Sequence, residues 1–220
     1  MRKTPEHEAE FDPSTKRASA KVALIKAGME LFSQKPFAEV KLKDILTKAN
    51  QKNRNALQYH FGSKKDLFDT ILFSHVSEIE KIRQQLVTSL DPGDPPELEI
   101  AIDIYVQPFI QYVRFNSQGG TCAKLMAHFL QMPERIEKAL NKDSIFECQS
   151  DQLNQLLVSI TPHLSRLERH QLMYLSTSIM VNTMAELVRA QEAGILVSTD
   201  RLYNHAVTKL VESLYNLWRF

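Results

Sequence analysis

The run Leu42–Lys64, LKDILTKANQKNRNALQYHFGSK, constrains this chain more than any other stretch. It reads as two short helices joined by a tight turn, then a stop, then the start of a long helix. Ile45 and Leu46 give the first helix an apolar side, and Ala49-Asn50-Gln51-Lys52 makes the turn. Asn53 to His60 forms the second helix. At 3.6 residues per turn, Leu57 and Phe61 point one way. Asn55, Gln58 and Tyr59 point the other way, with Arg54 beside them. Asn and Gln bond bidentately to adenine, Arg to guanine, and Tyr reaches a phosphate, so this face has the chemistry needed to read a major groove. An ordinary helical hairpin with a solvated polar face has the same wheel, so the helix pair alone does not decide the matter.

The residues after Phe61 weigh toward the DNA-reading alternative. Gly62 stops the helix, because glycine relaxes into the left-handed cap without a Cβ penalty. Ser63 and Asp66 have the S-x-x-D spacing of a capping box. Lys64 and Lys65 fall in the first turn of the next helix, the unfavourable end of a helix dipole for a cation, so their placement calls for an anionic partner.

Across residues 18–75 the sequence resembles the TetR family of bacterial transcriptional regulators. Ala27-Gly28-Met29-Glu30-Leu31-Phe32 is similar to the end of that family's first helix, and Asp44-Ile45 to its second. Leu57-Gln58-Tyr59-His60-Phe61-Gly62-Ser63-Lys64-Lys65-Asp66-Leu67 is similar to its third helix and the start of its fourth. Three positions depart from the family pattern. Pro36 stands where a glycine is usual, Val40-Lys41 where a Ser or Thr is usual, and Asn50 where a glycine is frequent. Asn50 tolerates the left-handed conformation. Lys41 or Lys43 stands in for the missing hydroxyl as a phosphate contact.

The resemblance implies an all-α fold: an N-terminal helix-turn-helix three-helix DNA-binding domain, then a larger helical C-terminal domain for ligand binding and dimerisation. We place a flexible arm at 1–16, the DNA-binding domain at 17–75 and the second domain at 76–220. Arg54, Asn55 and Gln58 are the candidates for base edges. Lys43, Lys52, Tyr59, His60, Lys64 and Lys65 are the candidates for phosphates, with packing against Phe61 as the other reading of His60.

Charge distribution agrees. Residues 1–75 hold 14 Lys/Arg against 9 Asp/Glu, a balance of +5, and the remainder holds 13 against 17, or −4. A basic head on an acidic body suits a nucleic-acid-binding module, although a gap this small also arises by chance. Two cysteines, Cys122 and Cys148, make no disulfide framework and point to a reducing compartment. No apolar run approaches the roughly 20 residues of a membrane helix. Met1 to Asp12 lacks an apolar signal core. The expected location is the cytoplasm, with no membrane partner. No G-x-S-x-G, C-x-x-C or H-E-x-x-H occurs, and the reading calls for no catalysis, metal or cofactor.

In chain order, Arg2, Lys3, Lys16 and Arg17 either touch DNA backbone or belong to a solvated tail, the plainer reading. Helix one spans Arg17 to Gln34 with a stripe of Val22, Ile25, Met29 and Phe32, and Pro36 ends it. The fourth helix spans Lys64 to Thr88 on a stripe of Phe68, Ile71, His75, Ile79, Ile82 and Leu86, long enough to act as a lever between the domains. Asp91 to Pro96 is the clearest break. Glu97 to Phe115 comes next, with Pro108 inside it predicting a kink near Ile104. Gly119-Gly120 marks a turn before a helix over Thr121 to Gln131, and a long helix covers Pro133 to Ile160.

The last two helices span Ser165–Glu192 and Thr199–Trp218. Leu172, Leu175, Ile179, Thr183 and Leu187 on one, with Tyr203, Val207, Leu210, Leu214 and Leu217 on the other, are candidates for a dimer interface. In the family, the last two helices of each subunit form a four-helix interface across a two-fold axis. The resemblance also implies a ligand pocket. Tyr105, Phe109, Tyr112, Cys122, Met126, Phe129, Met173, Met180 and Met184 are its candidate lining, with His128 or Asn182 as a polar handle, and core packing is the plainer role for each singly. The combined reading is a dimeric regulator, a repressor released from a pseudo-palindromic DNA operator by a small hydrophobic effector. Two rivals stand beside it: a DNA-bound structural factor with no effector, and an all-α small-molecule-binding protein with a vestigial head.

Overall fold

The computed structural model describes residues 13–90, 97–132, 151–197 and 201–219. In order these form α1 (Pro13–Gln34), a 3-10 turn (Phe37–Glu39), α2 (Leu42–Lys48), α3 (Ala56–Phe61), α4 (Lys64–Thr88), α5 (Leu98–Phe115), α6 (Gly119–Leu130), α7 (Asp151–Ile160), α8 (Arg166–Glu192) and α9 (Arg201–Trp218). No strand occurs among the described residues, and the fold is all-α, with an N-terminal helix-turn-helix followed by a helical region. The expectations for Arg2 and Lys3, the 91–96 break, Cys148 with the first part of the Pro133–Ile160 helix, and Thr199 lie outside the described residues.

Local chemistry sets most helix ends. Pro13 opens α1, where its fixed φ suits a first helical position. Four residues of the expected arm are therefore helical. Pro36 ends α1. The capping box of α8 is complete: Ser165 Oγ accepts from the Glu168 amide, and the Glu168 carboxylate accepts from the Ser165 amide. The buried face of α1 is only partly the expected one. Phe32 is buried and Ile25 and Met29 are half-buried against the core, but Val22 is 49% exposed, and Leu24, Ala27 and Gly28 turn inward as well.

The stripe of α4 is as expected, with Phe68, Ile71, His75 and Ile79 buried and Ile82 and Leu86 partly so. Helices α1, α3, α5 and α6 all pack on α4. The Phe68 ring lies 5.0 Å from Phe32 of α1 and 5.8 Å from Phe129 of α6, so the N-terminal helices and the body share a continuous core. The division drawn at residue 75 falls inside α4.

Gly119 and Gly120 do not form the expected turn; they are the first two residues of α6. A Cβ on Gly119 would stand 2.3 Å from the Tyr112 carbonyl oxygen, so only glycine lets α6 start so close to the end of α5.

The strip assigned to α9 is also corrected. Tyr203, Val207, Leu210 and Leu214 are buried within the protomer, and Leu217 is half-buried. The indole of Trp218 donates to Ser176 Oγ at 2.8 Å and ties α9 to α8. On α8, Leu172 and Leu187 are buried likewise and Thr183 is half-buried. The outward pair is Leu175, 46% exposed, and Ile179, 40% exposed, one turn apart.

Candidate nucleic-acid interface

The turn between α2 and α3 is built by its end groups. The Asn50 amide donates to the Thr47 carbonyl, and the Gln51 amide to the Leu46 carbonyl at 2.8 Å. This pair of bonds is the Schellman closure, which needs a left-handed residue at the position after the cap. Asn50 takes it with φ 52°, the substitute for glycine that the sequence implied.

The second helix starts later than expected. Asn53 Oδ1 accepts from the Asn55 amide at 3.0 Å, and this Asx turn holds Asn53–Asn55 out of the helix. Helix α3 therefore begins at Ala56 and runs one residue past His60, to Phe61. Arg54 and Asn55 sit on the turn leading into it, and Gln58 and Tyr59 on its body. All four are exposed, with Tyr59 at 65%, while Ala56 and Leu57 beneath them are buried. The two sides of α3 are thus sharply divided between core and hydrogen-bonding groups. His60 is half-buried, with its ring 5.0 Å from Tyr59 and 6.4 Å from Phe61.

Gly62 ends α3 with φ 84°. Ser63 caps α4 by accepting from the Asp66 amide at 3.1 Å, and its hydroxyl donates to Asp66 Oδ2 at 2.6 Å. The Asp66 carboxylate thus meets the hydroxyl rather than the Ser63 amide, so the predicted box closes by a different bond.

The cations divide into three groups. Lys43 and Lys52 are exposed. Lys65 pairs with Asp69 and Lys48 with Glu30. Lys64 turns inward. Its ammonium donates to the carbonyls of Phe37 and Val40, both at 2.8 Å, and lies 4.1 Å from the centroid of the Phe37 ring. Burial lowers its pKa. Two carbonyls and an aromatic face take the place of the anionic partner expected for Lys64. Nothing local to Phe37 in the sequence signals that contact.

A sequence profile described as "Bacterial regulatory proteins, tetR family" matches residues 24–71, from the middle of α1 to the first turns of α4. Residues 24–71 thus form a TetR-family region. No curated protein matches the chain. As a TetR-type protein it is a DNA-binding transcriptional regulator. Among the described residues no helix is long and apolar enough to cross a membrane.

The residues expected to line an effector pocket are buried or half-buried. Tyr105, Phe109, Tyr112, Cys122, Met126, Phe129, Met180 and Met184 are buried, and Met173 is half-buried. The Tyr105 hydroxyl donates to the Met173 carbonyl at 2.8 Å and meets Thr177. Cys122 Sγ lies 3.7 Å from Met126 Sδ, and burial pushes its thiol well above the usual range. The Tyr112 hydroxyl lies 2.8 Å from His75 Nδ1 and is itself pushed up to about 12, chiefly by burial. Of the two polar handles, Asn182 is exposed and donates to the Ser178 carbonyl. His128 is only partly buried, and burial lowers its pKa. An open groove of about 530 Å³ runs instead along α4, beside Phe73, Val76 and Glu80.

Sequence reasoning missed Arg83. It is 5% exposed, and its Nη1 donates to the carbonyls of Ile104 and Tyr105, both at 2.8 Å. Its Nε donates to Glu80 Oε2 at 3.0 Å. One signal was available: an arginine beside the apolar stripe of α4, in a chain whose Pro108 leaves a carbonyl without a helical donor.

Proposed function

We propose that the chain is a homodimeric repressor that binds a pseudo-palindromic operator with one helix-turn-helix per half-site and is released by a hydrophobic effector acting in the helical body. The observation that carries the DNA-reading part is α3 itself: Ala56 and Leu57 buried, with Arg54, Asn55, Gln58 and Tyr59 standing outward over them. These outward groups match base edges and phosphates. Lys43 and Lys52 flank them for the backbone, with Lys65 further out and His60 as a support for Tyr59.

Dimerisation is supported by Leu175 and Ile179, two large aliphatic side chains one turn apart on the outer side of α8. A pair of half-sites multiplies the modest specificity of one short helix. Release is supported by α4, which packs on both the reading helix and α5. An effector shifts DNA affinity only by binding the two arrangements of the body unequally.

Selection of binding duplexes from random DNA at two salt concentrations tests this reading. An enriched inverted repeat bound less tightly at higher salt supports it. Weak binding with no enriched sequence overturns it.

A second reading keeps the operator and drops the effector. The burial of Tyr105, Phe109 and Met184, with the Tyr105 hydroxyl bonded internally, favours it. A compound screen against the operator complex separates the two: release by an apolar compound supports the repressor, and no release across such a screen supports the second reading.

A further inference from the structure

We propose that Arg83 is a positioning residue that couples the body to the DNA-reading head at the break made by Pro108. The proposal rests on the reading of the chain as a DNA-binding regulator controlled from its body.

Pro108 lies inside α5 and has no N–H, so the carbonyl of Ile104, four residues earlier, has no helical donor. Ile104 is buried, and a buried carbonyl requires a partner. Arg83 supplies it from another helix, with Nη1 2.8 Å from the Ile104 oxygen and 2.8 Å from the Tyr105 oxygen. A buried guanidinium is itself tolerated only when its donors are engaged and its charge is met, and Glu80 meets it at 3.0 Å. Each side of the contact thus satisfies a group that the other would leave stranded, and α4 and α5 are joined at the point where α5 is weakest.

The contact continues in both directions. Tyr105 takes Arg83 on its carbonyl and reaches α8 with its hydroxyl, at Met173 and Thr177. At the other end of α4, Lys64 holds the carbonyls of Phe37 and Val40, just ahead of α2. A displacement of α5 or α8 must therefore either break the Arg83 bonds or carry α4, and with it the frame of the reading helix. Such a chain of packed polar contacts is a physical route for coupling, and only a measurement of coupling establishes it.

The experiment uses the full-length protein and an operator duplex recovered by selection from random DNA. Amide hydrogen exchange across residues 105–113 is measured with and without the duplex, for wild type, Arg83→Met and Arg83→Lys. Binding coupling is reciprocal, so an operator bound at the head must be felt at the Pro108 break. In wild type the duplex should slow exchange there at least about fivefold, the low end of ordinary coupling. In Arg83→Met the duplex should still bind and this protection should be lost. Arg83→Lys keeps the charge without the planar fork and should keep part of the protection; it carries the test if Arg83→Met does not fold. Equal protection in wild type and variants overturns the proposal, as does a bound operator with no effect on α5.

If wild type binds no duplex at all, both the functional reading and the coupling fall. A double-mutant cycle then judges the joint alone. Pro108→Ala restores an N–H to the helix, so Arg83→Met should lower Tm less in that background than in wild type. Equal losses in both backgrounds would show that Arg83 does not serve the break.

Discussion

The ammonium of Lys64 lies 2.8 Å from the carbonyl oxygen of Val40, across the gap between the start of α4 and the start of α2. It makes the same bond to Phe37 and covers that ring, so it acts as a strut within the head. A strut and a phosphate contact respond differently to salt. Each phosphate contact contributes about 0.9 to the slope of log affinity against log salt. Lys64→Met should lower Tm by several degrees and leave that slope unchanged, whereas Lys52→Ala should reduce it by about 0.9 per subunit. A reduced slope in Lys64→Met would return Lys64 to the DNA backbone.

The proposed base-reading residues, Arg54, Asn55 and Gln58, stand exposed on the turn into α3 and on its body. Arg54→Ala and Gln58→Ala should each cost about 1–3 kcal/mol in operator binding and relax preference at one base pair of each half-site. Circular dichroism should be unchanged, because neither side chain is buried. Affinity that is untouched, or lost equally for all sequences, would remove these residues from the base-reading face.

His75 gives the protein an acid-side instability. It is 1% exposed, and burial lowers its pKa to about 4 from an ordinary 6.5. Its Nδ1 is met by Tyr112, while no described residue partners Nε2. Between these two values the unfolded chain binds a proton that the folded chain does not. The stability held by neutral His75 is therefore complete above pH 6.5 and falls with pH down to about 4, at about 1.4 kcal/mol per pH unit. His128, whose pKa is also lowered, adds in the same direction. His75→Phe should flatten the loss over that window in urea titrations. An unchanged pH profile in the variant would place the titration elsewhere.

Leu175 and Leu210 should behave as opposites. Leu175 is outward on α8, and Leu210 is buried between α9 and its own body. Leu175→Arg with Ile179→Glu should yield a folded monomer by sedimentation with much weaker operator binding. Leu210→Ala should instead cost about 2–5 kcal/mol of stability through the cavity it leaves. A Leu175/Ile179 variant that remains dimeric would move the interface off this face.

The sequence by itself determined the features that nearest neighbours enforce. The ends of α4, the left-handed Asn50, the stop at Gly62 and the cap at Ser63 depend on groups within a few residues, and each was readable in advance. The same holds for the buried stripe of α4, which obeys one period over its length. Even locally a competitor can win: the Asn53 side chain captures the Asn55 amide and delays α3 to Ala56.

Only the tertiary structure decided which faces are covered. Periodicity reports that α9 is amphipathic, but it cannot say whether Tyr203 and Leu214 meet another subunit or their own core, and they meet their own core. Val22 and Leu24 lie on nearly opposite sides of α1, and the packing of α1 against α4 and α6 covered Leu24. Lys64 and Arg83 show the limit most plainly. A buried cation is governed by its partners, and those partners are carbonyls 21 to 27 residues away in sequence. Every residue carries a carbonyl, so no side-chain pattern marks which one a distant lysine or arginine will find; the fold alone brings them within 2.8 Å.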